Sequence, residues 1–245
     1  MLDRRTTFLE ERLAADRLIP YGNLGTAMGR QSVQEAVSLA RLAVREAGGR
    51  LQPQRLVYRD GSPQVAGNII VNAEGSLQVL VMPTELKGRP HHRLDAWVRA
   101  TFAAACGMRG DTLVVSKDGE RAKVDRMPPM ATDQARAALD SLLHLCRQAR
   151  MRPLPFGPKT SFAIFDAGRR GVDEADRALK AWQQQPKGPP GEGDSASAQL
   201  AWRDRNPFAE GIFDEWRRLA AEVFVPVEDW FASSASTATA GAASV

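Results

Sequence analysis

Apolar residues along the first 150 positions switch between two spacings, which predicts helices that alternate with strands. Helical spacing, with apolar residues three and four apart, covers 33–47, 93–106 and 132–146. Strands are favoured where apolar residues alternate or run together, at 56–58, 67–71, 77–82, 112–116 and 121–124. With one further helix after Thr7, the predicted order is two helices, three strands, a helix, two strands and a helix.

Local start and stop signals support these boundaries. Thr7 with Glu10, and Ser32 with Glu35, fit capping boxes that would begin the first two helices, while Thr132 is a candidate N-cap. Residues 18–25 are interpreted as a loop between those two helices. Glycines at 48–49 predict a helix end, and Asp118-Gly119 predicts the tight turn of a hairpin.

These elements predict an α/β (α+β) fold with a central mixed sheet flanked by helices. A segment rich in Gln, Pro, Gly and Ser at 183–198 is interpreted as a loop, and 212–224 as a last amphipathic helix. The small residues from Ala232 onward show no periodicity. We therefore expect one domain over residues 1–231 and a disordered tail over 232–245.

Composition narrows the class of protein without deciding its function. The chain has 43% apolar and 25% charged residues, as globular proteins do. It has no apolar run long enough for a membrane span and no secretory signal, so we expect a cytoplasmic protein without membrane contact. Cys106 and Cys146 are interpreted as core thiols, because no metal spacing joins them to the histidines. A net charge of +4 is compatible with nucleic acid.

Four segments, taken together, resemble one known family. They are Ala15–Gly25 (ADRLIPYGNLG), the hairpin and helix start from Val65 to Trp97, Arg152–Ser161 (RPLPFGPKTS), and GEGD at 191–194 with Trp202-Arg203. The later Phe224-Val225-Pro226 is similar to the closing stretch of the same family. In this order the segments resemble the C-terminal, nuclease-like domain of the gamma subunit (RecC) of exodeoxyribonuclease V.

The resemblance implies a degenerate PD-(D/E)XK nuclease-like fold. It also implies a place in a RecBCD-type helicase and exonuclease, a hydrolase complex that acts in DNA repair and recombination. The implied partners are RecB-like and RecD-like subunits, double-stranded DNA ends and unwound single strands. ATP and Mg²⁺ would belong to the partner subunits, with no cofactor in this chain. A complete gamma subunit is several times longer, so we expect the chain to represent only its last part.

Active nucleases of this type need an acid on one strand and an acid-x-Lys on the next, since carboxylates hold Mg²⁺. Here Ile70 takes the first position, and the second predicted strand, 77–82, has no acid. Glu85 and Lys87 match the acid-x-Lys pattern, and Glu74 is a second acid upstream, but all three lie outside the predicted strands. Glu74 falls in a turn, and Pro83 disfavours a continuing central strand, so we expect both carboxylates to face solvent. We predict no catalytic residue and no metal ligand.

Two basic segments predict DNA contact, because Lys and Arg neutralise phosphates. The candidate DNA-binding residues are Lys87, Arg89, His92, Arg93, Arg99, Arg150, Arg152 and Lys159. The predicted function is a non-catalytic DNA-guiding and subunit-scaffolding domain that acts on double-strand ends. Whether the chain is itself an enzyme stays open. The alternatives are an active Mg-dependent nuclease that uses Glu74, Glu85 and Lys87, and a pure protein-interaction domain.

Overall fold

The fold is taken from a computed structural model, which describes residues 8–9, 11–13, 22–59, 64–119, 121–183, 190–203 and 205–242. Side chains are described as far as Ser234. Thr7 and Glu10, the first predicted capping pair, lie outside the described residues. So do residues 18–21, the first half of the predicted loop at 18–25.

Between Asn23 and Met151 the helices and strands follow the predicted order. The strands are β1 (Leu51–Tyr58), β2 (Val65–Asn72), β3 (Gln78–Glu85), β4 (Thr112–Asp118) and β5 (Arg121–Met127). The helices are α1 (Asn23–Glu46), α2 (Pro90–Ala105), α3 (Thr132–Met151), α4 (Pro158–Arg170), α5 (Glu174–Trp182), α6 (Ala196–Trp202) and α7 (Glu210–Ala242). A short 3-10 turn spans Glu192–Asp194.

The five strands form one mixed sheet in the order β1-β2-β3-β4-β5. Neighbouring strands are antiparallel except β3 and β4, which run parallel and are joined by α2 as the crossover. The predicted α/β class, with a mixed sheet flanked by helices, is confirmed. Among the described residues β2 registers with β3 only at Val71 and Gln78, so the β1–β2 hairpin diverges from the rest of the sheet.

Helices cover both faces of the sheet. Leu39 and Ala43 of α1 pack on one face, against Val79 and Val115. The alternate residues of the same strands point to the opposite face, where they meet α2 and α7. This second core cluster contains Leu80, Met82, Val114, Met127, Trp97, Val223, Phe224, Val227 and Trp230. Trp97 is therefore a core residue, as its helical spacing favoured.

Helix α1 begins at Asn23, so the prediction of a helix start at Ser32 is wrong, as is the loop assignment for 23–25. Packing of the helix explains the difference: Gly25, Gly29 and Val33 are buried four residues apart, so one packed face continues past Ser32, and tertiary contacts outweigh a local capping signal. The predicted end is confirmed. Gly48 and Gly49 follow the helix with φ of 78° and 134°, which favours glycine.

Two local predictions at helix α3 are corrected. Ala131 takes the N-cap position and Thr132 is the first helical residue, with no side-chain cap. Cys146 is exposed and Cys106 is half-buried, so the core-thiol interpretation is wrong for Cys146. The apolar spacing put Cys146 on the inner face of α3, but this part of the helix borders an open groove.

Helix α7 is longer than its apolar pattern predicted. It continues through Pro226 to Ala242, so its backbone crosses the predicted boundary between residues 231 and 232. That division into a domain and a tail stays a prediction. No helix among the described residues is long and apolar enough to span a membrane.

Candidate nucleic-acid interface

The position at which the sequence pattern would place the first acid of an active nuclease, Ile70, is aliphatic. Ile70 on β2 is 40% exposed and Val81 on β3 is 41% exposed. The β2–β3 register places both on the face of the sheet that carries α1. This exposed pair cannot bind a cation, because it offers no oxygen ligand.

Glu74 and Glu85 do not converge. Glu74 lies in the turn before β3, whereas Glu85 ends that strand. The seven residue steps from Gln78 to Glu85 alone span about 23 Å. Glu74, Glu85 and Lys87 therefore do not share a cleft. An active nuclease could not use these three residues as one metal site. Among the described residues, no group of three His, Cys, Asp or Glu could hold a metal ion.

The prediction that Pro83 would end β3 is wrong. The strand continues to Glu85, with a register irregularity between Val81 and Glu85 on the β4 side. Proline is tolerated at such a bulge because no ladder hydrogen bond needs its missing N–H. The Glu85 carboxylate accepts a 2.7 Å hydrogen bond from the backbone N–H of Gly119, so it is tied to the β4–β5 turn and not free in solvent.

Three of the eight predicted DNA-binding residues are neutralised within the chain. Arg93 forms a 2.7 Å ion pair with Glu228 and lies over the ring of Phe231. Arg152 donates two hydrogen bonds to the Glu215 carboxylate, one of them 3.1 Å long. Arg99 pairs with Asp95 one helical turn away at 2.9 Å. Arg93 and Arg152 therefore hold α7 in place, and their charge is largely compensated.

The remaining candidates lie mainly where α2 and α4 begin. His91 and His92 have ring centroids 4.0 Å apart. Burial lowers the pKa of His91 below its ordinary value, and the positive charges of His92, Lys159 and Arg89 lower it further. Because these charges act on the His91 ring, His92, Lys159 and Arg89 lie close to it. We call Lys87, Arg89, His91, His92 and Lys159 the α2–α4 basic patch.

The residues of the patch differ in how far they are exposed to solvent. Lys87, Arg89 and Lys159 are exposed, whereas the Nδ1 of His91 is buried with no hydrogen-bond partner among the described residues. At neutral pH a histidine with a lowered pKa is uncharged. The two lysines and Arg89 therefore carry positive charge at this surface whatever the state of His91. Arg150 is exposed in the last turn of α3.

A glutamate from the GEGD segment fixes the geometry of α4 beside the patch. Glu192 accepts hydrogen bonds from the backbone N–H groups of Lys159 (3.1 Å) and Thr160 (2.9 Å), at the helix N-terminus. A carboxylate is favoured there by the helix dipole. Gly157 is required for this approach, because a Cβ at that position would overlap the Glu192 carboxylate. The third and fourth resemblance segments thus meet in space.

The family model described as the RecC C-terminal domain matches residues 1–169, more than two thirds of the 245 residues. The chain belongs to the RecC C-terminal domain family. The matched residues contain the whole sheet, α1 to α3 and nearly all of α4. Helices α5 to α7 and the GEGD segment lie beyond them. No curated protein matches the sequence.

Membership of the RecC family confirms the resemblance drawn from the four segments. It connects the chain with the gamma subunit of exodeoxyribonuclease V and with RecBCD-type DNA repair. The nuclease-like character of the fold stays a prediction.

Sequence reasoning missed two structural features of this RecC-family domain. The motif that contains Glu192 is visible in the sequence, but its capping role has no local signal because the capped N–H groups of Lys159 and Thr160 lie 33 and 32 positions earlier. Arg59, Arg109 and Arg136 were not singled out, because they are scattered along the chain. The structure brings them to one concave surface at the far end of α2.

Replacing Glu192 with Ala is expected to lower the free energy of unfolding by about 1–2 kcal/mol, since two backbone donors lose their acceptor. Urea unfolding followed by circular dichroism measures the change. Asp229→Ala is the matched control, because Asp229 is an exposed acid of α7 with no hydrogen bond among the described residues. Equal losses in the two variants would contradict the capping role.

The Arg152–Glu215 pair predicts a pH dependence. Hydrogen bonding from Arg152 lowers the pKa of Glu215 below its ordinary value. The pair therefore stabilises the fold above the unfolded-state pKa, near 4.3, and its contribution is lost as pH falls through the lower folded-state pKa. Unfolding free energies of wild type and Glu215→Gln should differ at pH 7 and converge toward pH 3. A constant difference over this range would contradict the pairing.

Proposed function

We propose that the chain is a non-catalytic DNA-guiding and subunit-scaffolding domain of a RecBCD-type complex that acts on double-strand DNA ends. The observation that carries this proposal is that the exposed residues Ile70 of β2 and Val81 of β3 are aliphatic, while Glu85, the acid that ends β3, lies far from Glu74 and is bonded to Gly119. Family membership supplies the setting. Cleavage and ATP hydrolysis, with their Mg²⁺, would belong to the RecB-like and RecD-like partners.

DNA contact is supported by the α2–α4 basic patch. Lys87, Arg89 and Lys159 are exposed and form no ion pair with any described carboxylate. Unpaired lysine and arginine side chains of this kind neutralise phosphates without reading base sequence. The carboxylate of Glu192, which lies beside the patch, is already engaged by the α4 backbone. The patch therefore keeps a net positive charge.

Subunit contact is supported by an apolar groove between α2, α3 and α7. Its cavity volume is about 280 Å³, and its lining includes Val98, Leu142, Leu145, Phe156 and Val223. Apolar surface of this kind is buried at the centre of stable subunit interfaces. Cys146 also lines this groove, so its thiol is exposed although its neighbours are apolar.

The scaffold proposal predicts that the chain co-purifies with a RecB-like or RecD-like subunit when the proteins are expressed together. Leu145→Glu should weaken this association, because a charge in the apolar groove would be desolvated on binding. Asp229→Lys, which changes a charge on exposed surface, is the control. If the wild-type chain retained neither subunit, the scaffold role would be overturned.

The DNA-guiding proposal predicts a strong salt dependence. Each phosphate contact contributes about 0.9 to the slope of log affinity against log salt for duplex DNA. Removing Lys87, Arg89 and Lys159 together should therefore lower that slope by about 2.7. A charge-matched control replaces Arg41, Arg50 and Arg121, three exposed residues elsewhere. Equal effects of the two triple variants would contradict a role for the patch.

Cleavage assays separate the alternatives. If the purified wild-type chain degrades linear DNA with Mg²⁺ and Glu85→Ala does not, the non-catalytic proposal is wrong. If the chain binds its partner subunits but no DNA at low salt, the protein-interaction alternative is correct.

A further inference from the structure

Two adjoining cavities form a groove at the C-terminal end of α2. One, of about 320 Å³, lies between the end of β1 and α3 and is lined by Arg59 and Arg136. The other, of about 540 Å³, lies between β1 and the α2–β4 loop and is lined by Gln54 and Arg109. Cys106 lines both cavities, so they adjoin at this residue. We call this surface the arginine groove.

The three arginines keep their charge available. Arg59 and Arg109 are exposed and form no hydrogen bond or ion pair with any described residue. Arg136 donates its Nε hydrogen to the carbonyl oxygen of Ala105 at 3.3 Å, at the end of α2. This bond anchors the guanidinium beside the groove and leaves its four other N–H donors unused by described residues.

The acids around the groove compensate this charge only in part. Glu74 lines the wider cavity and interacts with the Ser76 hydroxyl at 3.4 Å. Asp140 is engaged by the hydroxyl of Tyr58 at 2.9 Å. Asp133 lies one helical turn before Arg136, without an ion pair to it. Three arginines therefore face a single acid within the groove lining, which makes it an anion-binding surface.

The shape of the groove selects among anions. Its two volumes are those of clefts that enclose small ligands, whereas the phosphates of a duplex lie on a wide convex cylinder. From Gln54 to Arg59 the wall formed by β1 is about 17 Å long, which fits an extended chain of a few linked phosphates. Its aromatic member, Tyr58, is only 4% exposed, so bases cannot stack on it.

We propose that the arginine groove binds the sugar-phosphate backbone of single-stranded DNA, without reading its sequence. This inference rests on the proposed function and adds a second contact to it. The α2–α4 basic patch lies at the start of α2 and the groove at its end, which separates the two by about 24 Å. If the patch holds a duplex, a single strand that has separated from it would contact a different surface, the arginine groove.

The test measures fluorescence anisotropy of a labelled oligothymidine of about 20 nucleotides with the full chain, over a range of salt. For single strands each phosphate contact contributes about 0.7 to the salt slope. The double variant Arg59→Ala/Arg109→Ala should therefore lower the slope by about 1.4 and weaken binding. Neither side chain has a described partner, so the fold should be unaffected. Arg136→Gln is added as a third change once melting curves show that it folds.

Controls separate the possible outcomes. Arg41→Ala/Arg121→Ala removes the same charge elsewhere, and its single-strand binding should stay close to that of wild type. Equal losses in the two double variants, or a larger loss for duplex than for single strand, would overturn the groove proposal. The proposal would also be overturned if the wild-type chain bound polyglutamate and the groove variant lost that binding while its affinity for oligothymidine stayed unchanged. If only the patch variant weakens DNA binding, the groove fails but the proposed function stands.

Discussion

A chain that ends at Arg170, just after the residues matched by the RecC family model, is expected to lose cooperative unfolding. Trp216, Leu219, Phe224 and Val227 of α7 are fully buried. Burial of four such side chains contributes roughly 6–12 kcal/mol, which is comparable to the whole stability of a typical domain. The shortened chain should therefore expose the sheet face that carries Leu80 and Val114 and should bind a hydrophobic dye.

Thermal unfolding and dye fluorescence measure this effect. A chain that ends at Ser234 is the matched control, because it keeps every residue of the core cluster formed by α7. It should unfold cooperatively and bind little dye. Cooperative unfolding of the chain that ends at Arg170 would show that α7 is dispensable for the core, contrary to its packing.

Gly110→Ala is expected to destabilise the protein by about 3 kcal/mol or more, because a backbone clash cannot be relieved by a rotamer change. Gly110 lies in the loop between α2 and β4, and a Cβ there would overlap the carbonyl oxygen of Ser76. This close approach holds the loop against the β2–β3 turn and forms one wall of the arginine groove. Single-strand DNA binding should fall with stability.

Gly211→Ala is the control for that prediction. Gly211 lies in the first turn of α7, and a Cβ there would meet no atom within 4 Å. The same substitution should therefore be neutral or should stabilise the protein by up to about 1 kcal/mol. Urea unfolding of both variants measures the difference. Similar free energies of unfolding would contradict the close backbone contact at Gly110.

Much of the fold was predictable because its signals are local. The β4–β5 hairpin, with Gly119 at φ 62°, and the end of α1 at Gly48 follow from the conformational preferences of a few adjacent residues. Helices α4 and α5 were not predicted, although Pro158 at the start of one and Asp173 as N-cap of the other are local signals. Their apolar faces are short and were obscured by the surrounding polar residues.

The candidate interface was less predictable because charge compensation depends on distant residues. Arg93 and Arg152 belong to basic segments of the sequence, yet Glu228 and Glu215 of α7 neutralise them. No spacing rule connects residues so far apart in the chain. The predicted set of eight therefore mixed structural ion pairs with exposed cations.

The sequence by itself determined the order of helices and strands between Asn23 and Met151, the family, and the aliphatic residue, Ile70, at the position of the first acid. Each of these depends on residue type and on neighbours along the chain. Only the tertiary structure decided that Glu74 and Glu85 stand at opposite ends of β3, and that Arg59, Arg109 and Arg136 share one groove. These facts depend on strand direction and helix packing, which place residues in space through contacts that no local pattern encodes.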